Sequence, residues 1–224
     1  QVVVVRGKPA AGQLDFADLC RAEPAPAEFP VLDPDSVRMI MYTSGSTGQP
    51  KGVMHNFERI SAATEGIVKT LKETLGDRED NRILSYLPLA HVFERAWVGA
   101  SSLVHGKTHV FFAESLDSFI QDLNRAKPTM FISVPRLWLK FQQGVFSKMP
   151  PAKLNLLLSI PLLGGLVRKK ILKGLGLDHV ILAGSGSAPI PAELIVWYRK
   201  LGLNLLEGYA MTEDRKSTRL NSSH

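Results

Sequence analysis

From Val37 to Gly52 an apolar strand pattern runs directly into a loop of glycines, hydroxyl side chains and one lysine. Val37, Met39 and Met41 alternate with Arg38, Ile40 and Tyr42, which predicts a largely buried strand. The loop reads Tyr42-Thr43-Ser44-Gly45-Ser46-Thr47-Gly48-Gln49-Pro50-Lys51-Gly52, with four small hydroxyl side chains and three glycines in one short run. Glycine lets the backbone turn sharply and brings its N–H groups close to a ligand. Thr43, Ser44, Ser46 and Thr47 add donors suited to phosphate oxygens, and Lys51 adds a positive charge. Such a loop is expected to wrap a polyphosphate. It is not a Walker loop, because Pro50 stands where that pattern requires Gly before the Lys.

The chain is long enough for one large core or two small ones, and its 45% hydrophobic content marks a folding sequence. Cys20 is the only cysteine, which excludes an internal disulfide framework and fits a reducing compartment such as the cytoplasm. Gln1 to Val5 reads as an apolar strand with no basic segment ahead of it and no initiator Met, so the chain is expected to begin inside a longer gene product. After Asp214 the apolar pattern stops, and residues 215–224 read as a foreign tail from cloning or sequence read-through. Arg215, Lys216 and Arg219 in that tail supply half of the formal +6. What remains is mildly basic without clustered Lys/Arg and aromatic residues, so nucleic acid is not an expected partner.

Strands and helices alternate from Val37 onward. Residues 1–36 form a lead-in of strand and Pro-rich connection, and residues 37–214 form the main, partial domain. Helices are expected over Phe57–Leu75, capped by Asn56 and stopped at Gly76, over Val92–Val104, from a Ser115 cap with Leu116, Phe119, Ile120 and Leu123 inward, and over Pro191–Leu201. Strands are expected over Ile83–Leu87, Lys107–Phe112, Thr129–Val134, His179–Ala183 and Leu203–Leu206. The fold class that follows is α/β, a mostly parallel sheet with helices on its faces. Leu154 to Val167 is the most apolar stretch and is too short to span a bilayer. A buried helix–loop–helix with a solvated basic end is the favoured expectation there. An interfacial membrane contact is the alternative, since Lys148, Lys153, Arg168, Lys169, Lys170 and Lys173 flank the stretch.

Three further segments sit at the ends of expected strands, where ligands dock in parallel sheets. Tyr86-Leu87-Pro88-Leu89-Ala90-His91-Val92-Phe93-Glu94-Arg95 offers His91 to orient a carboxylate, while Glu94 and Arg95 are expected to pair with each other or to cap structure. Ala183-Gly184-Ser185-Gly186-Ser187-Ala188-Pro189 has small residues that let a flat ring lie against the backbone. Glu207-Gly208-Tyr209-Ala210-Met211-Thr212-Glu213 offers a hydroxyl for an α-phosphate, an aromatic face and a hard oxygen ligand for Mg²⁺.

These motifs together resemble the adenylate-forming superfamily, from about Val37 to Asp214. The segments at 86–95 and at Pro128-Thr129-Met130-Phe131-Ile132-Ser133-Val134-Pro135-Arg136-Leu137-Trp138 are similar to long-chain fatty acyl-CoA synthetases in particular. The resemblance implies part of the large N-terminal domain of such an enzyme. ATP or AMP contacts then fall on Thr43, Ser44, Gly45, Ser46, Thr47, Gly48 and Lys51, on Gly184, Ser185, Gly186, Ser187 and Ala188, and on Glu207, Gly208, Tyr209, Ala210, Met211 and Thr212. Catalysis falls on Lys51, His91, Thr212 and Glu213, with Glu213 holding Mg²⁺. One departure stands out: the family has Gly after the Tyr, where this chain has Ala210.

The implied substrates are a long-chain fatty acid, ATP and coenzyme A, the place of work is the cytoplasm or the inner face of a membrane, and the 224 residues alone are expected not to make acyl-CoA. Two rivals follow from the same residues. One is an adenylate-former for aryl or amino acids, which usually needs an acidic residue for a substrate amine. The other is a non-catalytic nucleotide-binding or membrane-scaffold module.

Overall fold

A computed structural model describes residues 3–5, 7–22, 28, 30–43, 49–209 and 219–221. The chain divides into two compact units, residues 1–33 and 34–224. In the first, β1 (Val3–Val4) pairs in parallel with β2 (Leu14–Asp15), and α1 (Phe16–Arg21) follows with Asp15 as its N-cap.

The second unit opens on an antiparallel hairpin. Strand β3 (Val37–Thr43) pairs with β4 (Lys51–Asn56), and Thr43 lies opposite Lys51. Helix α2 (Phe57–Leu75) follows at once, with the Asn56 side chain accepting from Arg59 N–H and Gly76 at φ +66° ending it, as the capping residues predict. The expected burial of β3 is corrected. Met41 is buried, but Val37, Ile40 and Tyr42 are more than half exposed. The alternation is apolar on both faces, and a two-stranded ribbon supplies only one strand neighbour to cover it. Gly52 leaves room for this face, since a Cβ there would stand 2.9 Å from the Ile40 side chain, which would have to shift.

The main sheet has strand order β10-β9-β8-β7-β5-β6, formed by β5 (Asn81–Ser85), β6 (Thr108–Phe112), β7 (Met130–Ser133), β8 (Leu182–Ser185), β9 (Leu205–Tyr209) and β10 (Arg219–Asn221). Five strands run parallel and β10 pairs antiparallel with β9, inside the stretch read from sequence as a tail. A π-helical segment (Glu94–Ala100) continuing into α3 (Ser101–His105) connects β5 to β6. Later connections hold α4 (Phe119–Ala126), α5 (Pro135–Lys148), α6 (Pro151–Ser159), α7 (Leu163–Leu175) and α8 (Ala192–Lys200).

Successive residues of a strand point to opposite faces, and the two cores divide accordingly. Ile83, Met130, Ile132 and Leu182 pack with Ile67 and Leu71 of α2 and with Trp97. Leu84, Phe131, Ala183 and Leu205 pack with helices α4 to α8, around Trp138 and Tyr198.

Three expectations on this unit change. Helix α4 begins at Phe119, because buried Asp122 accepts from Glu114 N–H at 3.0 Å and from the Ser118 hydroxyl at 2.7 Å, holding the preceding turn out of the helix. Leu116 consequently points outward, 91% exposed, and Ile120 is only partly covered. Helix α5 has a start signal, Pro135 at its first turn, that the strand reading of its neighbourhood obscured. The apolar stretch at 154–167 is not a buried helix–loop–helix: Leu154 is covered, but Leu156, Leu162 and Leu166 stand in solvent. Among the described residues no helix is long and apolar enough to cross a membrane.

Trp138 is fully buried, donates from Nε1 to the Gly184 carbonyl at 3.1 Å and accepts from the Tyr198 hydroxyl at 2.7 Å on its own carbonyl. Trp138→Phe keeps most of the volume but loses the donor, and is expected to cost about 1–3 kcal/mol. Trp138→Ala adds a cavity and is expected to cost about 3–5 kcal/mol. Urea denaturation of the two variants checks the order; equal costs would mean that the lost N–H accounts for the whole effect and the cavity adds nothing.

Candidate functional site

Parallel strands bring their carboxyl ends to one edge, so residues far apart in sequence meet there. In register, Ser133 of β7 pairs with Ser185 of β8, and Ser185 pairs with Glu207 of β9. This row of small and acidic side chains replaces the apolar residues that precede it in each strand. Ser133 and Ser185 are buried, and Ser185 Oγ has no hydrogen-bond partner among the described residues.

The segment after β8 folds back over this edge. Gly186 N–H donates to the Ser133 carbonyl at 3.0 Å, and Ile190 N–H donates to Glu207 Oε1 at 3.1 Å. Space is tight along it. A Cβ on Gly184 would meet Ile132 at 3.0 Å, and one on Gly186 would lie 3.5 Å from the Gly208 carbonyl. Ser187 takes a positive φ of 67°, a left-handed turn that costs energy for a residue with a Cβ. The two candidate nucleotide segments, 184–188 and 207–208, are thus one surface, and the small residues leave backbone where a flat ring can approach.

His91 sits beyond β5, half-buried, with its N–H bonded to the Pro88 carbonyl at 2.8 Å. Its Nδ1 accepts from Phe93 N–H at 3.2 Å, which leaves Nε2 to carry the proton. Glu94 does not pair with Arg95. Its side chain is fully buried, and Ser85 at the end of β5 donates to its Oε1. Glu94 Oε2 has no partner among the described residues. Burial pushes this carboxyl above its ordinary range, opposed by the Ser85 hydroxyl, by the N–H groups of Leu87 and Tyr86, and by the charge of His91. Tyr86 donates to Ser133 Oγ at 2.7 Å, and burial raises its hydroxyl to about 12, so it stays a neutral donor.

Sequence reasoning did not single out Ser85, Tyr86, Ser133 or Glu94 as a connected group. The one signal was a polar residue closing an apolar strand in Ser85 and in Ser133. Lys51 is exposed on β4, and no hydrogen bond or ion pair among the described residues joins it to the strand ends. Residues 44–48 and 210–213, which include Thr212 and Glu213, lie outside the described residues, as do the side chains of Thr43 and Tyr209. No group of three or more His, Cys, Asp or Glu that would hold a metal occurs among the described residues. A cavity of about 710 Å³ between α4, α5 and α7, walled by Phe119, Phe141, Val145 and Ile171, lies on the Trp138 face and contains none of these site residues.

Comparison with known proteins agrees with this geometry. Residues 1–215 match the family model of AMP-binding enzymes. The chain is 31% identical to long chain acyl-CoA synthetase 5 of Arabidopsis thaliana, over 85% of this chain and 32% of that protein. It is 32% identical to long-chain-fatty-acid–CoA ligase 1 of Homo sapiens, over 80% of this chain and 28% of that protein. It therefore spans less than a third of the length of these relatives. Among solved structures, the A domain of carboxylic acid reductase from Segniliparus rugosus, in complex with AMP and a co-purified carboxylic acid, aligns with a TM-score of 0.65. Identity there is 26%, over 89% of this chain and 32% of that one. The adenylation domain of carboxylate reductase from Mycobacterium chelonae aligns at 0.64 and 27% identity, over 83% and 28%. The expected α/β class is borne out by the parallel sheet and by these adenylation domains.

Glu94 gives this site a pH signature. The folded state holds the Glu94 proton more tightly than the unfolded chain, so its contribution to stability is lost as pH rises from the ordinary carboxyl range through the raised value. Glu94→Gln removes that titration while keeping an acceptor for Ser85. The melting temperature of the variant is expected to gain on the parent as pH goes from 5 to 8. A variant-minus-parent difference that stays constant or falls over that range would show that Glu94 is ionised without penalty.

Proposed function

The chain belongs to the family of AMP-binding enzymes, and from that premise we propose that the protein carrying it activates a long-chain fatty acid through an acyl-adenylate to acyl-CoA. A carboxylate oxygen attacks the α-phosphorus of ATP, and the bond to pyrophosphate breaks. The thiol of coenzyme A then attacks the acyl carbon, and AMP leaves with the electron pair of the acyl–oxygen bond. The observation that carries the long-chain reading is the identity of 31–32% to two relatives named for long-chain acyl groups, over 80–85% of this chain.

The first step sets an anion against a polyanion, so catalysis consists of positioning and of neutralising charge. Lys51 and the N–H groups of its loop take the phosphate oxygens in this reading. Gly184 to Ala188 and Gly208 take the adenine in this reading, with Gly184 and Ser185 buried beneath and Ser187 and Ala188 exposed at the surface. His91, with Nε2 free to donate, orients the fatty-acid carboxylate or the adenylate oxygen. Thr212 donates to the α-phosphate. Glu213, a hard oxygen ligand, would hold Mg²⁺, which would supply charge neutralisation when bound.

A second reading keeps the adenylation and changes the acceptor, and the alignments to carboxylic acid reductase A domains favour it as the rival. The test uses the full-length parent protein. Pyrophosphate exchange into ATP that depends on added long-chain fatty acid, followed by acyl-CoA formation with coenzyme A, is the expected result. Exchange driven by aryl or amino acids instead would overturn the substrate class. Exchange with fatty acid but no thioester on coenzyme A would favour the second acceptor, and no exchange with any acid would leave a nucleotide-binding module.

Lys51→Ala is expected to lower the adenylation rate by an amount equivalent to about 2–4 kcal/mol of transition-state stabilisation. Unchanged pyrophosphate exchange in that variant would remove Lys51 from the mechanism. For Glu213→Gln, size is kept and the charge is lost, so the Mg²⁺ concentration for half-maximal exchange should rise while fatty-acid binding holds. A Mg²⁺ titration that superimposes on the parent's would mean the ion is held by other groups.

A further inference from the structure

Three helices on the Trp138 face, α4, α5 and α7, wall the cavity of about 710 Å³, a size within the range of about 300–1,000 Å³ typical of small-molecule sites. On α5, Leu137, Phe141 and Val145 recur every four residues, and on α7, Val167, Ile171 and Leu175 do the same. Residues four apart share a helix face, so each helix turns an apolar row into the cavity. Phe119 of α4 adds the third wall, its ring centroid 6.4 Å from that of Phe141. The sheet stands between this cavity and the opposite core of α2 and Trp97, on which Phe93, two residues after His91, packs.

A second row runs beside each apolar one. It reads Lys140, Gly144 and Lys148 on α5, and Lys170 and Gly174 on α7, all lining the cavity. The three lysines are exposed and take part in no ion pair among the described residues. No acidic side chain lines the cavity, and residues 127–177 contain no Asp or Glu. The two glycines answer no local need. Neither takes a positive φ, and a Cβ added at either would meet no neighbouring atom within 4 Å. Glycine inside a helix is destabilising relative to alanine, so these positions give up helix stability and keep room open beside the lysines.

Buried apolar rows with exposed cations alongside suit a molecule that has one apolar chain and one anionic head. Lysine lays its methylene stem along apolar surface and keeps its charge in water, where such a head would stand. We infer that the α4–α5–α7 cavity binds a free single-chain anionic amphiphile, its chain against Phe119, Phe141 and Ile171 and its head among Lys140, Lys148 and Lys170. A partner's helix is the poorer occupant. With side chains a helix is about 10–12 Å across, and about 710 Å³ holds less than two turns of one. This site is independent of the activity proposed above.

The test titrates the full-length parent protein by calorimetry with sodium decanesulfonate, kept below its micelle concentration. The probe has a straight alkyl chain and no carboxylate to adenylate. It should bind roughly tenfold more tightly than decanol, which has the same chain without the charge. Gly144→Leu and Gly174→Leu each place a branched side chain in the cavity, and each should weaken decanesulfonate binding by roughly tenfold. Leucine is the better helix former, so neither variant should melt below the parent. Gly165→Leu is the matched control, an exposed α7 glycine outside the cavity that also meets no neighbouring atom within 4 Å, and it should bind as the parent does. Lys140→Ser with Lys148→Ser and Lys170→Ser should bring decanesulfonate down to the affinity of decanol. That variant changes exposed positions alone, so it decides the matter where a leucine disturbs the fold. Binding at the strand edge persists in every variant as a common step and is set apart by that.

Parent-like binding in both Gly144→Leu and Gly174→Leu would overturn the inference, as would an equal loss in Gly165→Leu. Equal affinity for decanol and decanesulfonate, or parent-like binding in the lysine variant, would take the anionic head out of the site and overturn it as well. Decanesulfonate bound in the common step alone, together with an acidic amphipathic peptide whose binding Gly144→Leu abolishes, would assign the cavity to a protein partner instead.

Discussion

The indole of Trp138 ties three elements that would otherwise meet only through apolar contact. Its N–H reaches the Gly184 carbonyl near the end of β8, and its own carbonyl receives the Tyr198 hydroxyl from α8. Gly184 is the point where an apolar strand gives way to the segment that lies over the sheet edge. A hydrogen bond anchored in a fully buried ring therefore sets where that segment starts. Phe131, Phe141 and Tyr198 all pack edge-on around the same ring, so its position is over-determined.

Once β7, β8 and β9 are held in register, the polar edge follows without further instruction. β7 and β8 are apolar until they close on Ser133 and Ser185, β9 turns polar at Glu207, and parallel pairing lines these residues up. The edge concentrates groups that resist ionisation. Glu94 lies behind it in a dry pocket, and Tyr86 remains a neutral donor well above ordinary pH. Lys51, the cation proposed to meet phosphate, lies apart from this edge, exposed on the β3–β4 ribbon outside the parallel sheet.

Charge is segregated on a larger scale as well. Ion pairs among the described residues include cations of α1, α2, β5 and α4 and Lys107 just before β6, where acids are present to meet them. The helices of the Trp138 face have no acids from Lys127 to Leu177. Helices α6 and α7 thus present exposed leucines and cations together.

Much of this was legible in the residues. The caps at Asn56 and Gly76, the strand–helix alternation, and the glycine-rich segments at strand ends are local signals, and local signals survive folding. Segments 184–188 and 207–208 were read separately and meet as expected, because parallel sheets always bring strand ends together. Burial was not legible. The β3 pattern reads as a core strand, yet Ile40 and Tyr42 are exposed. The stretch at 154–167 reads as core, yet Leu162 stands in water. Apolarity in a sequence states what a side chain prefers, while burial depends on which neighbours the tertiary structure delivers. In the same way Glu94 next to Arg95 reads as an ion pair, and only the packing of the π-helical segment against β5 sends its carboxyl to Ser85 instead. Local chemistry and periodicity thus came from the chain alone, and the partners of each side chain came from the three-dimensional arrangement, because contacts between distant residues exist only once the sheet has formed.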